Sequence, residues 1–343
     1  MKPHLEVLAP GAMTTVQDLG RFGGQALGIP VSGALDCDML RLVNALVGNP
    51  QQVGCLELRF FGPSFRVRAE SVRIALAGTE ATIELFGEEK KTIAAHCSVT
   101  LVKDQQFRVG TLRDTATAYL SVAGGFDFPR FLGSQSTYLA GAFGGMNGRA
   151  LEAGDAIPLC LPSAPAGTEL SIVAEKQPDL PGAMRVVLGP QADYFSERGL
   201  ATFLSHRYRI SDQISRMGVR LIGEEIEHAA GHDIPSDGVV TGAIQVPGNG
   251  LPIILLADRQ TTGGYPKIAT VISADLPRLA QLRPGDEIEF RAVDIEEAEN
   301  IRRQSEARLL RMISLIKPAG SLQFDRCILM QENFISGVTS GSD

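Results

Sequence analysis

The sequence predicts a mainly β protein with a few helices, divided into two β-rich units. Three observations carry this. Between Cys55 and Gly110 short β-forming segments follow one another: CLELRF, SFRVRA, SVRIALAG, ATIELFG, SVTLVK and QFRVG. Turn residues punctuate them, which is the pattern of a sandwich or barrel. Between Val239 and Ser273 three further strands are expected around a polar, glycine-rich loop. Between these regions, residues 161–182 hold Pro162, Pro165, Pro178 and Pro181 among polar residues, which marks a boundary. The units so predicted span 1–161 and 183–318, with a linker at 162–182 and a tail at 319–343.

Taken in order, Leu5–Ala9 reads as the first strand. The glycine-rich stretch 10–36 is too long for a simple turn. It leads into a helix over Leu35–Val47, where Leu35, Met39, Leu42, Val43 and Leu46 share one face. Gly48 stops that helix and Pro50 prevents its continuation. After the run of short segments, Ala118–Val122 is a strand closed by Gly124-Gly125, a glycine-loaded loop fills 139–155, and Ile157–Leu161 is the last strand of the unit.

The second unit opens with a strand at Met184–Leu188 and a helix over Ala192–Leu204, followed by a polar stretch, 205–218. Val239–Val246 is a strand, Pro247-Gly248-Asn249-Gly250 a tight reversal, and Leu251–Ala257 a buried strand. Asp258 to Tyr265 form a loop before the strand Ile268–Ser273, and Glu287–Arg291 completes the unit. Asp294-Ile-Glu-Glu297 is a capping box that opens a helix to Ile316. The units end alike, Arg149–Leu159 against Ala280–Phe290, each with Gly-Asp before a strand, and the expectation is a duplication. The terminal SGVTSGSD reads as disordered.

Composition narrows the function classes. A formal charge of −7 with Lys and Arg dispersed provides no basic face for nucleic acid or anionic lipid. Trp is absent and aromatics are 6%, so base-stacking platforms are not expected either. The cysteines at 37, 55, 97, 160 and 327 are odd in number and lack any C-x-x-C, which fits reduced thiols. The N-terminus has no apolar signal region, and Leu251–Ala257, the longest apolar run, is too short to span a membrane. The expected location is the cytoplasm.

No GxxxxGK[ST], GxGxxG between strand and helix, or GxSxG is present. His228 and His232 stand four apart near Glu225, Glu227 and Asp233, but Gly231 and Pro235 end any helix there, and no metal site is expected. Cys37 lies between Asp36 and Asp38, whose charges would raise its pKa, and is not a nucleophile. Two polar constellations remain. One is Gln17, Asp18, Arg21, Ser32 and Asp36; the other is Arg216, Gln245, Asp258, Gln260, Thr262, Tyr265 and Lys267. Carboxylate, guanidinium and amide groups on glycine-bordered backbone suit a small polar anion or amide. Asp18 and Arg21 can equally pair with each other to brace their loop.

The segments TTVQDLGRFGGQALGIPVSGALD (14–36), SRMGVRLIG (215–223), GAIQVPGNGLPIILLADRQTTGGYPKIATVISAD (242–275) and LAQLRPGD (279–286) resemble the KipA family. It is also known as the allophanate hydrolase subunit-two-like or biotin-dependent carboxyltransferase domain family. The resemblance covers about residues 5 to 310 and implies two cyclophilin-like β-barrel-type units. Most specifically it implies a part in bacterial ATP-dependent 5-oxoprolinase, which opens 5-oxo-L-proline to L-glutamate. The other two polypeptides of that enzyme would be the partners: the B component in direct complex, and the A component. ATP would be the cofactor of the holoenzyme, its site not located in this chain. Arg216 would then clamp the substrate carboxylate while Gln245, Gln260 or Thr262 bond its amide. The alternatives within the resemblance are a urea carboxylase-like carboxyltransferase and a regulator that binds a sensor-kinase inhibitor. Biotin would have to be carried elsewhere, because no Ala/Val-Met-Lys-Met turn exists here.

Overall fold

A computed structural model of the chain describes residues 2–87, 91–172 and 182–319. The terminal tail from 320 onward and residues 173–181 of the expected linker lie outside them.

The first half is two antiparallel sheets around one core. Six strands pair in the order Ala156–Pro158, His4–Ala9, Ser64–Arg68, Gln106–Val109, Ile83–Phe86 and Lys91–Ile93. Five pair in the order Met13–Gln17, Cys55–Arg59, Thr117–Val122, Ser71–Ala77 and Ser98–Val102. Alternate residues of both sheets, such as Val7, Phe65 and Phe107 from one and Leu58, Ile74 and Leu120 from the other, meet in that core. This is the period of two that the sequence displays.

The second half is a closed barrel of seven strands: Ala183–Leu188, Lys267–Val271, Ala243–Gln245, Ile253–Leu255, Gly218–Ile222, Tyr208–Ile214 and Glu287–Ala292. The last runs parallel to the first and closes the ring. Met184, Val219, Ile244, Ile254, Ile268 and Phe290 fill its interior.

Four α-helices accompany the strands among the described residues: α1 (Cys37–Leu46), α2 (Glu197–Ser205), α3 (Leu276–Gln281) and α4 (Ile295–Ser314). None is long and apolar enough to cross a membrane. Asp36 caps α1 by accepting from Met39 N at 3.0 Å, and Gly48 follows with φ +80°, so both ends are set locally. Asp294 caps α4 by accepting from Glu297 N at 2.7 Å. The reciprocal half of the expected capping box is replaced, because the Glu297 carboxylate accepts from Arg291 Nη2 at 2.8 Å.

Several elements depart from the sequence reading. The stretch 10–36 contains the strand Met13–Gln17, and the polar stretch 205–218 contains Tyr208–Ile214. Both strands are rich in polar side chains (Thr14, Thr15 and Gln17 in one; Arg209, Ser211, Asp212 and Gln213 in the other), which hides their alternation. The helix expected over Ala192–Leu204 is broken. A 3₁₀ turn at Ala192–Tyr194 ends at Phe195, and the Ser196 side chain accepts from Gly199 N to start α2 afresh. The helix α3 carries Pro277 in its first turn, where proline is tolerated. The expected likeness of the two unit ends is local. Asp155 accepts from Glu152 N and Asp286 from Arg283 N, each at 2.8 Å, while Gly154 and Gly285 both adopt positive φ. Beyond these turns one half is a two-sheet unit and the other a closed barrel.

The halves are bonded to each other. Thr117 Oγ1 donates to Ala280 O at 2.5 Å, Ala116 N to Gln281 O at 3.1 Å, and Ser32 N to Ala257 O at 3.1 Å. The helix α4 leaves the barrel and crosses to the first half, where Arg41 of α1 makes a two-pronged bond to Glu306 at 2.7 Å per contact. Its C-terminal extension, Lys317–Pro318, pairs with Leu170–Ser171.

Candidate functional site

The polar residues expected to bind a ligand collect where the loop 17–36 meets the barrel turn 256–265. Arg216, on the turn between the strands Tyr208–Ile214 and Gly218–Ile222, lies at its centre and is 4% exposed. Its Nε donates to Asp258 Oδ2 at 2.9 Å and its Nη2 to Gly33 O at 2.6 Å. Its Nη1 donates to Glu57 of the first half. Burial opposes the guanidinium charge, but Glu57 and Asp258 outweigh it and raise the pKa further. The sequence reading made Arg216 a substrate clamp. In the structure its donors are turned to the two halves it joins, and there Arg216 acts as a brace. Asp258 serves the same brace.

The brace continues into a buried chain of hydrogen bonds. Glu57 Oε2 accepts from Tyr119 Oη at 2.7 Å and from Leu35 N at 2.8 Å. Tyr119 Oη accepts in turn from Asp36 N at 2.8 Å. The Asp36 carboxyl accepts from Gln281 Nε2 at 2.8 Å as well as from Met39 N. Neither Glu57 nor Tyr119 was singled out from the sequence, since a glutamate and a tyrosine in alternating strands look like solvent-facing residues.

Burial pushes the Asp36 pKa up to about 7. A carboxyl whose folded pKa lies above its unfolded value keeps an extra proton in the fold between the two. Its stabilising contribution is therefore complete below about pH 4 and is lost as pH rises through about 7. Asp36→Asn preserves a capping side chain but cannot titrate. We expect urea midpoints measured from pH 4 to 8 to fall more steeply with pH for the native chain than for this variant; parallel curves would refute the assignment. The neighbouring Cys37 thiol is pushed up to about 12, by burial first and then by Asp36 and Asp38.

The expected Asp18–Arg21 brace is not what forms. Asp18 Oδ1 accepts from Ser134 Oγ and Ser136 Oγ at 2.6 Å each, and its Oδ2 accepts from Gln135 N at 2.7 Å. Arg21 is fully buried, donates from Nη2 to Ser136 O, and sits with its guanidinium 4.9 Å from the Phe143 ring centre. Its Nε and Nη1 find no partner among the described residues. Burial lowers its pKa against the pull of Asp18 and Asp258, and the Arg216 charge adds to the lowering.

Across the junction, Arg259 is in the same condition. It is 2% exposed, its Nε and Nη1 have no partner among the described residues, and burial lowers its pKa. Arg259 lay in the loop that drew attention in the sequence but was not picked out. Only burial separates it from the neighbouring Gln260. Gln245 Oε1 is 3.4 Å from Gln260 Nε2, while Gln245 Nε2 is buried and unpartnered. A Cβ on Gly263 would collide with Gln245 Nε2, so that glycine makes room for an amide of the protein itself.

The remaining candidates are dispersed. Lys267 is buried and bonds Asp237 Oδ2 at 2.7 Å, beside the short pairing of Asp237–Gly238 with Thr262–Gly263. Thr262 and Tyr265 are exposed on that rim. Gln17 Nε2 donates to Thr137 O at 3.2 Å and to Thr15 Oγ1 at 3.0 Å. Ser32 lines a cavity of about 370 Å³, whose walls include Leu35, Leu256, Leu276 and Arg302. His228 and His232 stand outside the helices; His228 Nε2 is 3.0 Å from Val246 O. No group of three metal-ligating side chains occurs among the described residues.

The fold and this junction define a mainly β protein in which a two-sheet unit and a closed barrel hold buried, unpaired arginine and amide donors suited to an anionic or amide ligand. Residues 27–292 match the family described as carboxyltransferase domain, subdomain A and B, and the chain belongs to that family. It is 33% identical over 303 residues to the C subunit of 5-oxoprolinase from Escherichia coli, covering 88% of this chain and 95% of that protein. It is 34% identical over 307 residues to the protein of the same name from Haemophilus influenzae, covering 89% and 96%. Among solved structures, it superposes on urea carboxylase of Kluyveromyces lactis with a TM-score of 0.81 at 30% identity. That match takes in 90% of this chain but 29% of the larger one.

Proposed function

We propose that this chain is one of three polypeptides of an ATP-dependent 5-oxoprolinase, acting with the A and B components to convert 5-oxo-L-proline and water to L-glutamate. The observation that carries the reading is the match to two 5-oxoprolinase C subunits, 33% and 34% identical over 95% and 96% of their extent.

The junction supports a part in substrate handling. 5-Oxo-L-proline carries one carboxylate and one lactam amide. The unpartnered N–H groups of Arg259 suit the carboxylate, taking the place first given to Arg216. The Gln245 and Gln260 amides suit the lactam, with Thr262, Tyr265 and Lys267 along the same rim. ATP would supply the driving force by phosphorylating the amide oxygen, which turns it into a leaving group and opens the lactam carbon, otherwise a poor electrophile, to water. The sequence holds no P-loop, so no step is assigned to ATP on this chain.

Glutamate release from 5-oxo-L-proline and ATP, with this chain and the A and B components present and each omitted in turn, tests the proposal. Release only with all three is the expected result. Release without this chain would overturn it. A carboxyl transfer from carboxybiotin to urea or a similar amide is the second reading, favoured by the urea carboxylase superposition. Bicarbonate- and biotin-dependent turnover of urea would establish it instead.

A further inference from the structure

Two buried arginines of the junction contrast sharply. Arg216 directs its guanidinium at two carboxylates and a carbonyl. Arg21 is at least as deeply buried, yet its one hydrogen bond goes from Nη2 to Ser136 O, and Nε and Nη1 are left bare. A guanidinium has five N–H donors, and leaving buried ones unmade is costly unless a partner arrives. The Thr137 side-chain oxygen, on the residue after Ser136, is also buried and unpartnered.

What covers Arg21 is the segment 138–148. Phe143 sits against the guanidinium, and a Cβ on Gly144 would fall 3.2 Å from Nη2. Tyr138 and Phe143 close the segment with backbone bonds of 2.9 and 3.5 Å, the second at the limit of a hydrogen bond. Gly144, Gly145 and Gly148 adopt positive φ, and so do Ala142 and Asn147 at +53°, where a side chain is strained. Residues 140–142 are exposed. The exposed tip stands on a base held by Gly145 N to Gln135 O at 2.8 Å and by Met146 against the core, and beneath the tip lies a cation without a hydrogen-bond partner on three of its N–H bonds.

We propose that Arg21 is the receptor of a small oxyanion, reached when the hairpin tip 138–143 lifts. The guanidinium fork matches two oxygens of a carboxylate or a phosphate. Both belong to the chemistry of an ATP-driven ring opening, one as part of the substrate and one as a product. The site differs from the Arg259 group, and the choice of these two oxyanions rests on the proposed 5-oxoprolinase reading.

The chain contains no tryptophan, so Phe143→Trp places a single reporter over Arg21. Its emission is titrated with L-5-oxoproline in one arm and inorganic phosphate in the other, with chloride at equal ionic strength as control. The expected result is a saturable change with at least one of the two oxyanions and none with chloride; which arm responds identifies the source. Adding Arg21→Met should weaken that response about tenfold or more. As a measurement that needs no variant, amide hydrogen exchange in 138–148 of the native chain should change on adding the active oxyanion. No response in either arm, a response that survives Arg21→Met, or exchange in 138–148 that ignores the oxyanion would overturn the proposal. Loss of oxoprolinase activity in the reconstitution assay would leave these binding readouts intact, so the two readings fail separately.

Discussion

Replacing Arg216 by methionine is expected to destabilise the chain by about 3–5 kcal/mol, the usual loss when one partner of a buried ion pair is removed. The reason is what remains behind. Glu57 and Asp258 are 1% and 3% exposed, and without the guanidinium each would be a buried carboxylate lacking its counter-charge. Gly33 O would also lose its donor, and with it a bond that fixes the loop 17–36 against the barrel. Arg216→Lys should recover little, because an ammonium cannot reach across two carboxylates and a carbonyl with the planar geometry of the fork. Urea unfolding followed by circular dichroism measures this directly. A loss below about 1 kcal/mol, the range of exposed pairs, would show that the brace does not join the halves. The triple variant Arg216→Met, Glu57→Gln, Asp258→Asn should be more stable than the single one, since it removes the stranded charges together.

Replacing Arg259 by alanine should have the opposite signature. Its Nε and Nη1 make no bond among the described residues, so little of the fold is lost with them. The expected result is a melting temperature within a few degrees of the native chain, together with a reduction in kcat/KM for 5-oxo-L-proline of roughly 10- to 100-fold. That range corresponds to one or two charge-assisted hydrogen bonds. Gln245→Leu should weaken turnover less, because a neutral amide donor is worth less than a guanidinium. Native kinetics in an Arg259→Ala complex that still assembles would remove Arg259 from the site. Loss of assembly with the isolated chain still folded would make it an interface residue instead.

Much of the architecture was legible because it rests on local rules. The alternation in Ser64–Arg68 reports a strand half-buried on one core without knowledge of the partner strand, while Cys55–Arg59 and Ser71–Ala77 are strands buried on both faces. Asp36 before α1, Gly48 after it and Asp294 before α4 are caps whose chemistry acts within three residues. Elsewhere the same rules failed. The strand Tyr208–Ile214 looked like a polar connector, and the helix at 192–204 proved to be two pieces because one serine caps from inside it.

The candidate site divides in the same way. The sequence by itself determined the family, the two β-rich halves, and the loops on which the polar residues stand. It could not determine which arginine is a brace and which is free to bind. Arg216 and Glu57 are 159 positions apart, and Arg21 and Ser136 are 115 apart. Only the tertiary structure places two carboxylates around Arg216 and none bonded to Arg21 or Arg259. The physical reason is that a charged side chain takes its character from the groups that share its burial, and the chain brings those groups together only when both halves close on each other.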